Sequence, residues 1–145
     1  YKAPEKPVRE DVIFEKIKVE KDKLTVLIAE DNAGNFKLFE TILKNDYTIV
    51  HAWNGKEAVE LFKEYEPHIV LMDINMPEMN GYEATKEIRK LSEVIPIIAV
   101  TAYAFASDEE QVMNSGFDAY ASKPLNASAL KKQMVDLLRA RVFVI

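Results

Sequence analysis

The sequence predicts an α/β fold: a single doubly wound sheet of five parallel strands flanked by five helices. Two observations carry that expectation. Five short strand-like segments recur along the chain, of which Leu24–Ala29 and Ile69–Met72 are nearly continuous apolar runs of the kind expected for strands buried on both faces. Between them lie segments whose apolar residues repeat every three or four positions, the helical period. Strands and helices in alternation mean βαβ units, with helices on both sides of the sheet.

The first run is Leu24–Ala29, followed by Phe36, Phe39, Ile42 and Leu43 at helical spacing. Gly34, near the start of that helix, costs it up to about 1 kcal/mol if it lies in the interior. Tyr47–Ala52 is the second strand, and Asn54 caps a helix with an apolar face of Ala58, Leu61, Phe62 and Tyr65. Ile69–Met72 is the third strand, and the helix after Gly81 carries Ala84, Ile88 and Leu91. Ile97–Val100 is the fourth. Ser107-Asp-Glu-Glu110 matches a capping box for a short helix stopped by Gly116. Ala119–Ser122 is the fifth strand, and Asn126 opens a last helix with Leu130, Met134, Leu137 and Leu138 on one face.

Composition narrows the function. The 145 residues suffice for one domain and leave little for a second. Residues 1–23 are rich in charge and hold two of the prolines, so they read as a linker or extension; 24–139 form the domain and 140–145 a short tail. The chain starts with Tyr1, which suggests a fragment or a processed product. A net charge of −5 disfavours binding nucleic acid by bulk electrostatics, and no apolar run is long enough to span a bilayer. The absence of cysteine excludes thiolate metal sites, thiol catalysis and disulfides.

In an open parallel sheet, ligands bind beyond the carboxyl ends of the strands. Those ends carry Glu30 and Asp31, Asp73, Thr101 and Lys123. Two carboxylates about 4 Å apart repel by roughly 4 kcal/mol at an effective dielectric near 20. Three on one rim must bind protons or recruit a cation. Oxygen ligands without cysteine favour a hard ion such as Mg²⁺, which prefers a phosphoryl oxygen as partner. Lys123 and Thr101 complete a pocket for that group, and a carboxylate facing it can act as nucleophile.

Leu27–Asn32, Leu71–Gly81, Thr101-Ala102 and Ser122-Lys-Pro124 together resemble the response-regulator receiver domain of two-component signalling. The resemblance implies the flavodoxin-like strand order 2-1-3-4-5. It makes Asp73 the phosphoacceptor, taking its phosphoryl group from a kinase phosphohistidine, and Glu30 with Asp31 the acidic pair that holds Mg²⁺. Asp31 corresponds to the direct metal ligand, Glu30 to one acting through water, and the Asn75 backbone carbonyl to a further ligand. Thr101 and Lys123 match the switch hydroxyl and its lysine, and Tyr120 the aromatic switch residue. Pro77 and Gly81 shape the loop, and the bond before Pro124 is expected to be cis. The side chains of Asn75 and Tyr103 fall where they tune hydrolysis.

Glu30-Asp31-Asn32, with Asn35, looks most like the receiver of a hybrid histidine kinase. That implies a cytoplasmic domain, either free or part of a membrane-bound sensor, whose partners are a histidine kinase domain, in cis or in trans, and a histidine phosphotransfer protein. A homodimer is left open. Such a domain promotes its own phosphorylation and dephosphorylation but lacks an ATP-binding apparatus.

Other readings fare worse. A haloacid-dehalogenase-type phosphatase needs an acid where Asn75 stands, Glu30 and Asp31 would repel a flavin phosphate, and no P-loop occurs. The alternative of another class is a receiver-like interaction module that is never phosphorylated. His51 and His68 read as structural, and Trp53 as a packing residue near the rim that could report metal binding.

Overall fold

The computed structural model describes residues 24–102 and 106–143, with the side chains of 106–108 and 141–143 left aside. The segment 1–23 and Tyr103 therefore lie outside the described residues. The elements alternate as expected: β1 (Thr25–Ala29), α1 (Ala33–Leu43), β2 (Thr48–Ala52), α2 (Gly55–Tyr65), β3 (Ile69–Asp73), α3 (Gly81–Leu91), β4 (Ile97–Thr101), α4 (Ala106–Met113), β5 (Ala119–Ser122) and α5 (Ala127–Phe143). All pairings are parallel and the order is β2-β1-β3-β4-β5. The chain reverses direction across the sheet between β1 and β3, which opens a crevice at their carboxyl ends.

Two apolar layers hold the sheet. On one face Val26, Ile28, Leu71, Ile98 and Val100 meet Phe39 and Leu43 of α1 and Leu130, Met134 and Leu138 of α5. On the other, Leu27, Met72 and Ala99 meet Ala58 and Phe62 of α2, Ala84 and Ile88 of α3 and Val112 of α4. Each fully buried leucine or isoleucine contributes about 1.5–3 kcal/mol, so the central strands are anchored on both sides.

Helix starts are set by asparagine. Asn32, Asn54 and Asn80 each accept a backbone N–H from the third residue onward, at 2.9, 2.7 and 2.9 Å. Asn80 forms a full capping box with Glu83, and Asn126 accepts from Ala129 at 2.9 Å. The box expected at Ser107 is not built that way: α4 already begins at Ala106, so Ser107 is inside the helix rather than ahead of it. Helix α5 runs through Phe143, so the boundary placed at residue 140 falls within it. Tyr65 and Leu91 end their helices 52% and 49% exposed, because the apolar stripes outrun the sheet beneath.

At the amino ends of β4 and β5, far from the crevice, Arg89 ties two loops together. It donates to the carbonyls of Gly116 (2.9 Å), Ile95 (2.7 Å) and Ser92 (3.3 Å) and pairs with Asp118 at 2.9 Å. Gly116 has φ +99°, a conformation that suits glycine.

Candidate functional site

Strand pleating sends neighbouring residues in opposite directions, and the pair after β1 uses this. Glu30 points inward and has no solvent exposure, whereas Asp31 is exposed. Asp73, the last residue of β3, is 5% exposed. One carboxylate oxygen from each of the three lies within 4.8 Å of those of the other two. Such crowding is unfavourable unless positive charge or protons relieve it.

Part of the relief comes from Lys123, immediately after β5. Its ammonium stands 3.0 Å from Glu30 Oε1 and 3.4 Å from Asp73 Oδ2. The approach to Glu30 is an ion pair by distance but lies off hydrogen-bonding direction, so the buried Oε1 makes no hydrogen bond. Its other oxygen, Oε2, accepts the Asn32 N–H at 3.1 Å. Burial lowers the basicity of Lys123, but the Glu30 and Asp73 carboxylates outweigh it and hold the ammonium above its usual value. Asp73 is pushed up to about 7, first by burial, then by the neighbouring Glu30 carboxylate, against the pull of Lys123 and of the Asn75 N–H. That N–H donates to Asp73 Oδ1 at 3.3 Å.

The loop after Asp73 is held by backbone contacts that admit no side chain. A β-carbon on Gly81 would sit 2.3 Å from the Asp73 carbonyl oxygen, and one on Gly55 2.1 Å from that of Met79. Gly81 N–H donates to the Ile74 carbonyl at 2.9 Å and Gly55 N–H to that of Met79 at 3.0 Å. Between them Pro77 is exposed and Glu78 takes φ 65°. The Lys123–Pro124 bond is cis.

Thr101 ends β4 beside Asp73 and is 4% exposed. Tyr120, on β5 and paired with Ala99, packs half-buried against the α2–α4 layer, and its carbonyl accepts from Gln133 at 3.0 Å. Asn75 is exposed beside the acidic group. The structure thus brings together Glu30, Asp31, Asp73, Asn75 and Lys123, with Thr101 at the end of the next strand. Two participants had no sequence signal: Gly55, which seats the far end of the loop, and His51, whose Nε2 lies 2.9 Å from the Glu30 carbonyl oxygen.

The donor set suits a hard divalent cation: all the candidate ligands are oxygens, three of them carboxylates, and buried Glu30 Oε1 lacks a hydrogen bond.

An α/β domain that gathers acidic oxygens around a buried aspartate at its topological switch point is of the kind that binds its ligand beyond the carboxyl ends of the strands. Its family is the response regulator receiver domain: the family model matches residues 26–135, and the chain belongs to it. It is therefore a receiver domain of the response-regulator family.

The polar-differentiation response regulator DivK of Brucella anthropi is 43% identical over 105 residues, spanning 70% of this chain and 85% of that protein. A co-crystal structure of the Saccharomyces cerevisiae histidine phosphotransfer protein Ypd1 with the receiver domain of Ssk1 superposes with a TM-score of 0.74 at 32% identity, covering 80% of this chain and 89% of that one. The receiver domain of sensor histidine kinase PA1611 from Pseudomonas aeruginosa, with a magnesium ion coordinated in its active-site cleft, gives a TM-score of 0.74 at 30% identity, covering 79% and 97%. Among the described residues no helix is long and apolar enough to cross a membrane.

Proposed function

We propose that residues 24–139 form a receiver that takes a phosphoryl group onto Asp73 from a phosphohistidine and shifts between two packings in response. The observation that carries this reading is the reach of Lys123 across the crevice to both Asp73 and Glu30. A carboxylate oxygen of Asp73 attacks phosphorus, the P–N bond to the donor imidazole breaks toward nitrogen, and an acyl phosphate remains. Lys123 exchanges its contact with the Asp73 carboxylate for one with a phosphoryl oxygen, and the Thr101 hydroxyl takes another. Asp31, Asp73 and the Asn75 carbonyl, with Glu30 beside them, would hold Mg²⁺, which would supply positive charge to offset the phosphoryl oxygens.

As Thr101 is drawn toward the phosphoryl group, Tyr120 fills the space it leaves and the side formed by α4, β5 and α5 is remodelled. The phosphoryl group must favour one of two pre-existing packings, since a ligand equal in both shifts nothing. Asn75 and Tyr103 govern how water reaches the acyl phosphate, and Pro77, Gly81 and Pro124 shape the loops around it.

The donor is a histidine kinase domain, in cis or in trans, in the cytoplasm, with a histidine phosphotransfer protein as a further partner. The co-crystal of Ypd1 with a receiver supports such a partner. Glu30-Asp31-Asn32 supports attachment to a hybrid kinase, and PA1611 is a kinase that carries a receiver. DivK, by its name a response regulator, supports a separate regulator instead.

Intact-mass measurement after incubation with acetyl phosphate tests the reading. The expected result is a gain of one phosphoryl group with Mg²⁺, and none with EDTA or in Asp73→Asn. A wild-type protein that stays unlabelled with Mg²⁺ and donor would instead be a receiver-shaped interaction module.

A further inference from the structure

We infer that His51 is a positioning residue for the acidic pair: its imidazole holds the Glu30 carbonyl and so aims the Asp31 carboxylate toward the cation. This rests on the Mg²⁺-dependent reading above and adds to it a residue outside the ligand set.

Strand β2 pairs with β1 as far as Ala52, and the last rung is the Glu30 N–H donating to the Ala52 carbonyl at 3.0 Å. Beyond it β2 departs: the Trp53 N–H turns to Glu57 Oε1 at 3.2 Å. The Glu30 carbonyl takes its donor instead from a side chain one residue back, His51 Nε2 at 2.9 Å. A carbonyl oxygen only accepts, so Nε2 carries the hydrogen and the tautomer is defined.

The ring is held in place. It stacks on Phe36 of α1 with centroids 3.6 Å apart and planes 3° from parallel, and Trp53 flanks it at 4.1 Å, tilted by 45°. Two aromatic neighbours therefore set the plane in which the N–H points.

The consequence falls on Asp31. The Glu30 carbonyl belongs to the peptide plane joining Glu30 to Asp31, which is rigid. On the other side, the Asn32 N–H is held by Glu30 Oε2, and Asn32 Oδ1 caps α1 through Asn35. Asp31 lies between two restrained peptides, so its exposed carboxylate is directed by the backbone. Without the His51 bond that peptide plane can rock, and the carboxylate loses its aim. Partners that orient a metal ligand in this way measurably affect metal affinity.

The test is a calorimetric Mg²⁺ titration of wild type, His51→Phe and His51→Gln, with labelling by acetyl phosphate measured alongside. His51→Phe keeps a stacking ring without the donor and should weaken Mg²⁺ roughly 3–10-fold. His51→Gln restores an N–H at comparable reach and should recover to within about twofold. At saturating Mg²⁺ the labelling rate of His51→Phe should return to the wild-type value, because His51 touches neither Asp73 nor the phosphoryl group. In wild-type protein the imidazole nitrogen spectrum should report a hydrogen-bonded Nε2–H, a readout that depends on no variant folding.

Equal Mg²⁺ affinity in His51→Phe and wild type, equal weakness of the two variants, or an Nε2 without its hydrogen would each overturn the inference. In those cases wild type still binds Mg²⁺ and labels, so the phosphoacceptor reading stands. A wild type that binds no Mg²⁺ removes both.

Discussion

Lys123 and Glu30 form an ion pair 3.0 Å long in which the carboxylate is wholly buried and the ammonium side chain is 22% exposed. The two come from opposite ends of the domain sequence, and the acid depends on the base. Breaking such a pair from one side strands the other charge.

Lys123→Ala should therefore destabilise the metal-free protein by roughly 1–3 kcal/mol, the penalty being moderated by the partly exposed site. Mg²⁺ would still bind, and would raise the melting temperature of the variant more than that of wild type, since it replaces a countercharge. Thermal melts with EDTA and with Mg²⁺ measure both shifts. Identical Mg²⁺-induced shifts would mean that Lys123 does not neutralise the acidic group.

Asp73 should make the metal-free protein sensitive to pH. Its folded value of about 7 lies above the ordinary 3.8, so the folded state binds the proton more tightly. The stability this contributes is complete below about pH 4 and is lost as pH rises through 7. Asp73→Asn, neutral at every pH, should melt above wild type at pH 8 in EDTA by roughly 5–10 °C, with the gap closing toward pH 4. A gap that does not change with pH would contradict the burial and repulsion assigned to Asp73.

Gly81→Ala pits helix propensity against space. Alanine is the better helix former by about 1 kcal/mol. Its β-carbon, however, would lie 2.3 Å from the Asp73 carbonyl oxygen and 2.9 Å from Ile74 Cα, both backbone atoms that cannot swing aside. The clash should win: a net loss of about 1–3 kcal/mol, together with weaker Mg²⁺ binding because the Asp73 loop is pushed outward. Denaturant unfolding and calorimetry on the same samples test the two effects.

Arg89 serves as a control for chemistry against stability. Arg89→Met removes donors to three carbonyls and the partner of Asp118, at a cost of about 2–4 kcal/mol. Asp118 still accepts the Ile97 N–H at 2.8 Å, which limits the damage. The cluster sits at the amino ends of β4 and β5, remote from Asp73, so labelling by acetyl phosphate at a temperature where the variant is folded should match wild type. Arg89→Lys should not restore stability, because a single ammonium cannot reproduce the fork of donors.

Much of this was readable in the residues, and the parts that were not share a cause. Apolar period places Asp73 and Thr101 at the ends of buried strands, because a strand buried on both faces has to stop where charge begins. The same logic could not separate Glu30 from Asp31: one residue of pleat makes the first wholly buried and the second exposed, and hydrophobicity is silent about which acid turns inward. Tyr65 and Leu91 continue a helical stripe correctly, but the stripe says nothing of where the sheet beneath ends. Ser107 fits a cap pattern, yet α4 starts one residue earlier. Contacts such as His51 with Glu30, Gly55 with Met79 or Arg89 with Gly116 join segments 21 to 27 residues apart through polar atoms, for which the chain carries no periodic mark.

The parallel order of the strands gives the site a temporal property as well. Glu30 and Asp31 follow the first strand and Lys123 the fifth, so during synthesis the acidic residues are made long before the base that balances them. A domain without its fifth strand would hold those anions without their partner. The acidic group is balanced only once the last strand of the sheet has docked, so the charge balance of the crevice depends on contacts that span the sheet from its first strand to its fifth.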